Sequence, residues 1–255
     1  MHKDRHPSHI VRSLKMCCGC LFTEVTMKKI FTCFTKAELF LWISSLSIII
    51  ISFILFDRTN YLTLTASLIG VSSLIFCAKG NPAGQVLMII FSLFYGIISY
   101  GFTYYGEMVT YLGMTLPMSV ISLVSWIKNP YTGNKSVVAV NHVKKREVPF
   151  ILLLTLAVTA VFYFILRHFN TANLIPSTFS VATSFSAAYL AFRRSPFFAL
   201  IYAMNDIVLI VLWILATIKD ISYISVIICF AVFLVNDLYG FFSWKRMEKR
   251  QFAQH

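Results

Sequence analysis

Charged residues are the scarcest component of this sequence. Asp, Glu, Lys and Arg make up 13% of its 255 residues, whereas a soluble domain carries about 25%. Hydrophobic residues reach 58%, and the mean hydropathy is +0.76. Because a lipid-facing helix cannot hold scattered charges, this composition excludes an ordinary soluble domain. It predicts an all-α polytopic membrane protein.

The sequence also lacks the patterns of a disulfide framework, a metal site or a catalytic centre. Three of its six cysteines lie far apart, at Cys33, Cys77 and Cys229. The other three, Cys17, Cys18 and Cys20, form a cluster that has no second ligand pair at zinc-like spacing. No HExxH, GxSxG or P-loop motif is present. We therefore expect no cofactor, no metal and no enzymatic activity. The role of the cysteine cluster stays open.

The formal net charge of +12 could indicate a nucleic-acid partner, but the positions of the charges argue against one. Nearly all of them lie in short segments between apolar runs, where basic residues set membrane topology. We expect membrane lipid as a partner and no nucleic acid.

Eight apolar runs are long enough to be transmembrane helices. They cover residues 39–56, 61–78, 86–105, 108–127, 150–166, 175–192, 197–217 and 222–244. If the N-terminus is cytosolic, 19 of the Lys and Arg residues fall on the cytosolic side and 3 on the other. This asymmetry predicts that both termini are cytosolic.

The second to fourth runs resemble the sixth to eighth. "SLIFCAKGNP" and "AAYLAFRRSP" are both basic turns with a proline, and each triple ends in Trp before a basic residue, at Trp126 and Trp244. Both triples run in the same direction, which predicts two parallel three-helix repeats, an arrangement that places a substrate site between the halves. The predicted organisation is a basic tail over 1–38, an extra transmembrane helix over 39–56, a first repeat over 61–127, a linker helix over 150–166, a second repeat over 175–244 and a basic tail over 245–255.

Two Asn–Asp pairs interrupt the apolar runs, Asn205–Asp206 and Asn236–Asp237. Helical spacing puts Asp206 on one face with Tyr202 and Trp213. An intramembrane carboxylate faces either a cavity or a partner helix, so these pairs are either a binding site for a polar ring compound or bridges between helices. For Asn236 and Asp237 the position near the cytosolic end favours a bridge or an inner gate. In the first triple, Tyr95 and Ser92 are the deepest polar candidates for the site.

Several motifs resemble the PnuC family of nicotinamide riboside transporters. They are "KGNPAGQ", "YGIISY", "YYGEM" and "SWIKNPYTGNK" between Lys79 and Lys135, and the closing "NDLYGFFSWKRM" of the last run. The resemblance covers about residues 37–250. It implies a SWEET-like arrangement of parallel three-helix repeats in the plasma membrane, and it points to a homotrimer.

The resemblance also implies a substrate and a mode of transport. The substrate would be nicotinamide riboside, taken up as a precursor of NAD by facilitated diffusion and trapped in the cytosol by phosphorylation. The alternatives within such a family are carriers of thiamine, riboflavin or deoxynucleosides. A membrane sensor is a different class of function, and the short loops argue against it.

The charge asymmetry predicts which loops a membrane-impermeant reagent can reach. In a background without other reactive cysteines, Cys at Asn134 should resist a thiol reagent added outside the cell, whereas Cys at Asn170 should react. Labelling of intact and permeabilised cells measures this. The opposite pattern would contradict the eight-span topology.

Overall fold

The structure, a computed structural model, describes residues 34–101, 105–171, 173–218 and 221–253. The basic segment 1–33, with the cluster Cys17, Cys18 and Cys20, lies outside the described residues. Within them are eight long helices, each long and apolar enough to cross a membrane. They are α1 (Lys36–Phe56), α2 (Tyr61–Ala78), α3 (Ala83–Gly101), α4 (Tyr105–Lys128), α5 (Val148–His168), α6 (Leu174–Phe192), α7 (Phe197–Thr217) and α8 (Ile224–Phe252).

These boundaries confirm the prediction of a polytopic all-α membrane protein. α7 has the predicted limits, whereas α8 continues eight residues beyond 244, through Phe252. Part of the segment predicted as a basic tail is therefore helical. The extension is amphipathic, since Trp244, Met247 and Gln251 are buried while Lys249 and Arg250 are exposed.

Local chemistry explains where several helices begin and bend. Thr35 and Glu38 form a reciprocal capping box at the start of α1. In α4, a π-helical turn over Tyr111–Thr115 comes just before Pro117. Proline has no amide hydrogen and its ring clashes with the carbonyl four residues earlier, so the helix is irregular at this point. The turn leaves Tyr111 in contact with Tyr95 of α3, with ring centroids 4.3 Å apart.

The helices pack in two sets of three. α3 packs against both α2 and α4, and α7 packs against both α6 and α8. Between the sets, α4 packs on α6 and α8 packs on α2. α1 lies against α2 and α8, and α5 lies mainly against α6.

We call one end of the bundle the basic end, because the α2–α3 and α6–α7 turns there carry Lys79, Arg193 and Arg194, and α4 ends there at Lys128. The α2–α3 and α6–α7 turns have the same backbone geometry. Gly80 and Arg194, each two residues before a proline, both adopt positive φ, at 66° and 59°. For a non-glycine residue this left-handed conformation is uncommon.

The two halves are joined at the basic end by a reciprocal exchange of hydrogen bonds. The indole Nε1 of Trp126, near the end of α4, donates to the Ala191 carbonyl of α6 at 2.8 Å. The indole Nε1 of Trp244, in α8, donates to the Cys77 carbonyl of α2 at 2.8 Å. Ala191 and Cys77 each lie five residues before the turn proline. The two acceptors thus hold the same position relative to their turns, and the two tryptophan hydrogen bonds are equivalent.

The segment between α4 and α5 covers this junction. It contains a short antiparallel hairpin, β1 (Pro130–Tyr131) and β2 (Asn134–Val138). The Val138 amide donates to the Gly80 carbonyl at 2.9 Å, and the Asn141 amide donates to the Arg194 carbonyl at 3.0 Å. The side chain of Gln251 in α8 bonds to the backbone of Val138 and Val140. The segment thus ties both turns to the last helix.

The tryptophan bonds predict a measurable loss of stability when either indole is removed. Trp126→Phe and Trp244→Phe each remove one buried hydrogen bond, while the Ala191 and Cys77 carbonyls keep their bonds from the Arg194 and Gly80 amides, so each change should cost about 0.5–1.5 kcal/mol. In thermal unfolding of the purified protein in detergent, both variants should have a lower melting temperature than wild type.

Trp42→Phe is the matched control. Its indole bonds to the half-buried Ser72 hydroxyl, whereas the bonds of Trp126 and Trp244 are fully buried, so a smaller shift is expected. Equal melting temperatures for all four proteins would contradict a structural role for the exchanged bonds.

Candidate substrate cavity

A cavity of about 360 Å³ opens at the end of the bundle opposite the basic end. Its volume falls in the range of small-molecule sites. The walls come from the α1–α2 loop and from α2, α3, α4, α7 and α8, with the short turn before α8. The lining residues are Asp57, Thr59, Asn60, Thr63, Ser67, Phe91, Tyr95, Ile98, Ser99, Glu107, Trp213, Tyr223, Val226, Cys229, Phe230 and Phe233.

Aromatic rings from four elements form much of the wall. Tyr95 and Phe91 of α3 have ring centroids 5.6 Å apart, and Phe91 meets Phe233 of α8 at 6.0 Å. Trp213 of α7 contacts Tyr223 at 5.2 Å. Offset and edge contacts of this kind hold rings in fixed positions, so the cavity presents a preorganised surface for a flat ring.

The charged groups that line the cavity are acidic. Glu107, in the first turn of α4, and Asp57, in the α1–α2 loop, both belong to the lining, to which no Lys, Arg or His of the described residues contributes. The Tyr95 hydroxyl is hydrogen-bonded to the Glu107 carboxyl group. Thr63, Ser67 and Ser99 add hydroxyl groups. The cavity therefore combines aromatic faces, hydroxyls and carboxyl groups, a set that suits a cationic ring compound with hydroxyl groups.

Two of the eight predicted site residues line this cavity, Tyr95 and Trp213. Ser92 is fully buried, and its hydroxyl bonds to the Met88 carbonyl of its own helix. Tyr202 packs on Phe198, nearer the basic end. These two residues do not contribute to the lining.

The structure brings Asp206 of α7 and Asp237 of α8 together. Both side chains are buried, and their carboxyl groups are hydrogen-bonded to each other. Such a bond needs a proton on one of the two carboxyl groups. The pair lies outside the lining of the cavity.

The two asparagines connect helices. The Asn205 Oδ1 accepts hydrogen bonds from Thr183 at 2.8 Å and Ser180 at 3.2 Å, both on α6. The Asn236 Nδ2 donates to the Ser45 hydroxyl of α1 at 2.9 Å. Of the two roles considered from the sequence, the geometry of both residues matches the bridge.

Glu107 is the candidate that sequence reasoning missed. The fourth predicted span begins at residue 108 and therefore leaves out Glu107 of the motif "YYGEM". The helix instead begins at Tyr105, so the carboxyl group lies on its first turn and reaches Tyr95. The sequence signal for Glu107 is its place one position before an apolar run and next to a helix rich in tyrosine.

Within the described residues, no group of three His, Cys, Asp or Glu side chains could hold a metal ion.

The chain is similar in sequence to transporters over most of its length. A sequence model of the nicotinamide mononucleotide transporter family matches residues 60–246. The chain belongs to this family. The proteins of the family are transporters and not enzymes, in agreement with the prediction from the missing catalytic motifs.

Individual relatives agree with this assignment. The chain is 23% identical over 203 residues to the nicotinamide riboside transporter PnuC of Neisseria mucosa, covering 78% of this chain and 77% of that protein. The nicotinamide riboside transporter PnuC of Haemophilus influenzae is 23% identical over 193 residues, with 75% and 82% covered. Their similarity confirms the resemblance to the PnuC family.

The fold of this family member is also that of a solved structure. The crystal structure of the vitamin B3 transporter PnuC superposes with a TM-score of 0.74 at 23% identity, covering 86% of this chain and 94% of that one. The eight-helix architecture is therefore that of a known transporter fold.

The bridging role of Asn205 predicts a loss of stability on truncation. Asn205→Ala removes two interhelical hydrogen bonds, each worth about 0.6–2 kcal/mol in a membrane, so the purified variant should unfold at a lower temperature in detergent. Asn60→Ala is the matched control, because Asn60 makes no side-chain capping bond at the start of α2. If both variants have the melting temperature of the wild type, Asn205 does not act as a bridge.

Proposed function

We propose that the protein carries nicotinamide riboside across the plasma membrane as a precursor of NAD. The observation that carries the proposal is the cavity with aromatic walls, a glutamate and, among the described residues, no basic side chain in its lining. Nicotinamide riboside joins a cationic pyridinium ring to a ribose. The relatives from Neisseria mucosa and Haemophilus influenzae are both named as nicotinamide riboside transporters, which supports the same substrate.

Each part of the substrate has a counterpart in the cavity. The pyridinium ring would stack on Trp213 or Tyr95, gaining the attraction of a cation for an aromatic face. Glu107 would compensate the positive charge. Thr63 and Ser67 of α2 would bond to the ribose hydroxyls, as buried polar groups of a ligand need partners.

The charge of the cavity favours this substrate over the alternatives. A neutral deoxynucleoside or riboflavin has no positive charge for Glu107 to compensate, and thiamine, which is also cationic, carries a second ring and no ribose. We retain a carrier of another vitamin or nucleoside as the alternative function.

The mode of transport is proposed to be facilitated diffusion between two parallel three-helix repeats, α2–α4 and α6–α8, as in SWEET-like carriers. α1 is the additional first helix and α5 the linker. The matching turns and the exchanged tryptophan bonds support this repeat. The fully buried Trp126 and Trp244, with ring centroids 5.3 Å apart, would close the path at the basic end.

The basic end is proposed to face the cytosol, because basic residues concentrate on that side of membrane proteins. Both termini would then be cytosolic, the cavity would open outward, and phosphorylation would trap the substrate inside. The homotrimer remains an expectation from the family resemblance.

An uptake experiment with Glu107→Gln tests the substrate assignment. Cells that lack their own carriers would express the protein and receive labelled nicotinamide riboside, thiamine, riboflavin and deoxynucleosides. Wild type should take up nicotinamide riboside best. Glu107→Gln keeps the shape and removes the charge, so the cationic substrate should lose about 1–2 kcal/mol, the difference between a charged and a neutral hydrogen bond.

Glu248→Gln is the control, because this carboxylate lies at the basic end and pairs with Lys245. It should leave the ranking of substrates unchanged, and the amount of folded protein in the membrane is measured for every variant. Preferential uptake of a neutral substrate by wild type, or an unchanged ranking in Glu107→Gln, would contradict the proposal.

A further inference from the structure

A second hollow, of about 470 Å³, lies at the basic end between α4 and α6, on the outside of the bundle. We call it the α4–α6 groove. It is remote from the substrate cavity, shares no lining residue with it, and has no part in the function proposed above. One wall of the groove is apolar and its end at the α6–α7 turn is basic.

The apolar wall is formed by Val120, Ile121 and Val124 of α4. Their exposed fractions are 40%, 47% and 44%. α4 crosses the membrane, so these exposed side chains face hydrocarbon. No helix of the described chain covers them, and an acyl chain can lie along them without displacing protein.

The basic end of the groove carries more positive charge than the protein compensates. Lys128, Arg193 and Arg194 all line it. Arg193 is paired with Glu147 at 2.7 Å. Among the described residues, no carboxylate forms an ion pair with Lys128 or Arg194.

Arg194 also has unused hydrogen-bonding capacity. Its Nη1 donates to the Ala139 carbonyl at 3.3 Å, while its Nε is buried and has no hydrogen-bond partner. Partial burial and the adjacent Arg193 lower the pKa of the Arg194 guanidinium. A buried donor of a charged group without a partner is costly, and an anion at this point would relieve both the missing bond and the repulsion from Arg193.

We propose that the α4–α6 groove binds an anionic phospholipid, with the phosphate against Lys128 and Arg194 and an acyl chain along Val120, Ile121 and Val124. Basic pockets between transmembrane helices at the cytoplasmic surface are suited to acidic headgroups. A free phosphate ion would leave the apolar wall uncovered. A zwitterionic lipid would bring an ammonium group next to the same cations.

The position of the groove gives the lipid a structural consequence. The hydroxyl of Ser125, another lining residue, bonds to the Phe192 carbonyl at 2.8 Å, and the next residue, Trp126, bonds to the carbonyl of Ala191, the residue before Phe192. A phospholipid in the groove would therefore bind across the contact of α4 with α6 and stabilise it.

Titration of the purified protein with phosphatidylglycerol and with phosphatidylcholine of identical chains, followed by native mass spectrometry, tests this proposal. Wild type should bind phosphatidylglycerol at least tenfold more tightly. The double variant Lys128→Gln/Arg194→Gln should lose about thirtyfold in phosphatidylglycerol affinity, since each basic residue near an anionic lipid contributes about fivefold. Its phosphatidylcholine affinity should not change.

The matched control is Lys135→Gln/Lys249→Gln, which removes two exposed basic residues away from the groove. It should bind both lipids as wild type does. Equal affinity of wild type for the two lipids, or an equal loss in this control, would overturn the proposal. If the double variant does not fold, Lys128→Gln alone should lose about fivefold.

Two further measurements separate a lipid from a free anion. Val124→Trp fills the apolar wall and keeps every charge, so it should weaken phosphatidylglycerol binding. Glycerol 3-phosphate should fail to displace the lipid at equal concentration. A Val124→Trp variant with wild-type affinity, or full displacement by glycerol 3-phosphate, would mean that the groove recognises phosphate and not a phospholipid.

Discussion

A pair of reciprocal hydrogen bonds at the basic end connects the two halves of this transporter. The indole of Trp126 reaches the Ala191 carbonyl, and the indole of Trp244 reaches the Cys77 carbonyl. Within a membrane there is little water to satisfy a polar group, so each indole must find its acceptor inside the protein. The acceptors are carbonyls at the ends of α6 and α2, where the helical ladder stops and where each carbonyl also accepts a bond from its own turn. Each half thus supplies the acceptor for an indole of the other.

The two ends of the bundle differ. Trp126, Trp244 and Phe198 pack ring against ring at the basic end, while the α1–α2 loop and the starts of α4 and α8 line a cavity at the other. Polar residues deeper in the bundle are used in two ways. Asn205 and Asn236 connect neighbouring helices, and the carboxyl groups of Asp206 and Asp237 pair with each other. Glu107 and Tyr95 are left to face the cavity.

Sequence reasoning located the helices more accurately than the site. Helix α7 runs from Phe197 to Thr217 as predicted, because a continuous apolar run between charged turns has one interpretation in a bilayer. The intramembrane Asn–Asp pairs were recognised as unusual for the same reason. Their partners could not be assigned, since spacing along one helix gives the face of a residue but not the helix it meets. Trp213 was placed on the same face as Asp206, and only Trp213 of these two lines the cavity.

The sequence by itself determined the membrane location, the number of spans and the predicted orientation, because hydropathy and the distribution of Lys and Arg act locally along the chain. The tertiary structure decided which polar groups meet. Glu107 and Tyr95 are twelve positions apart in the chain, on different helices, and Asp206 and Asp237 are thirty-one apart. The angle and depth at which two helices pack bring such residues together, and these depend on the side-chain packing of the whole bundle.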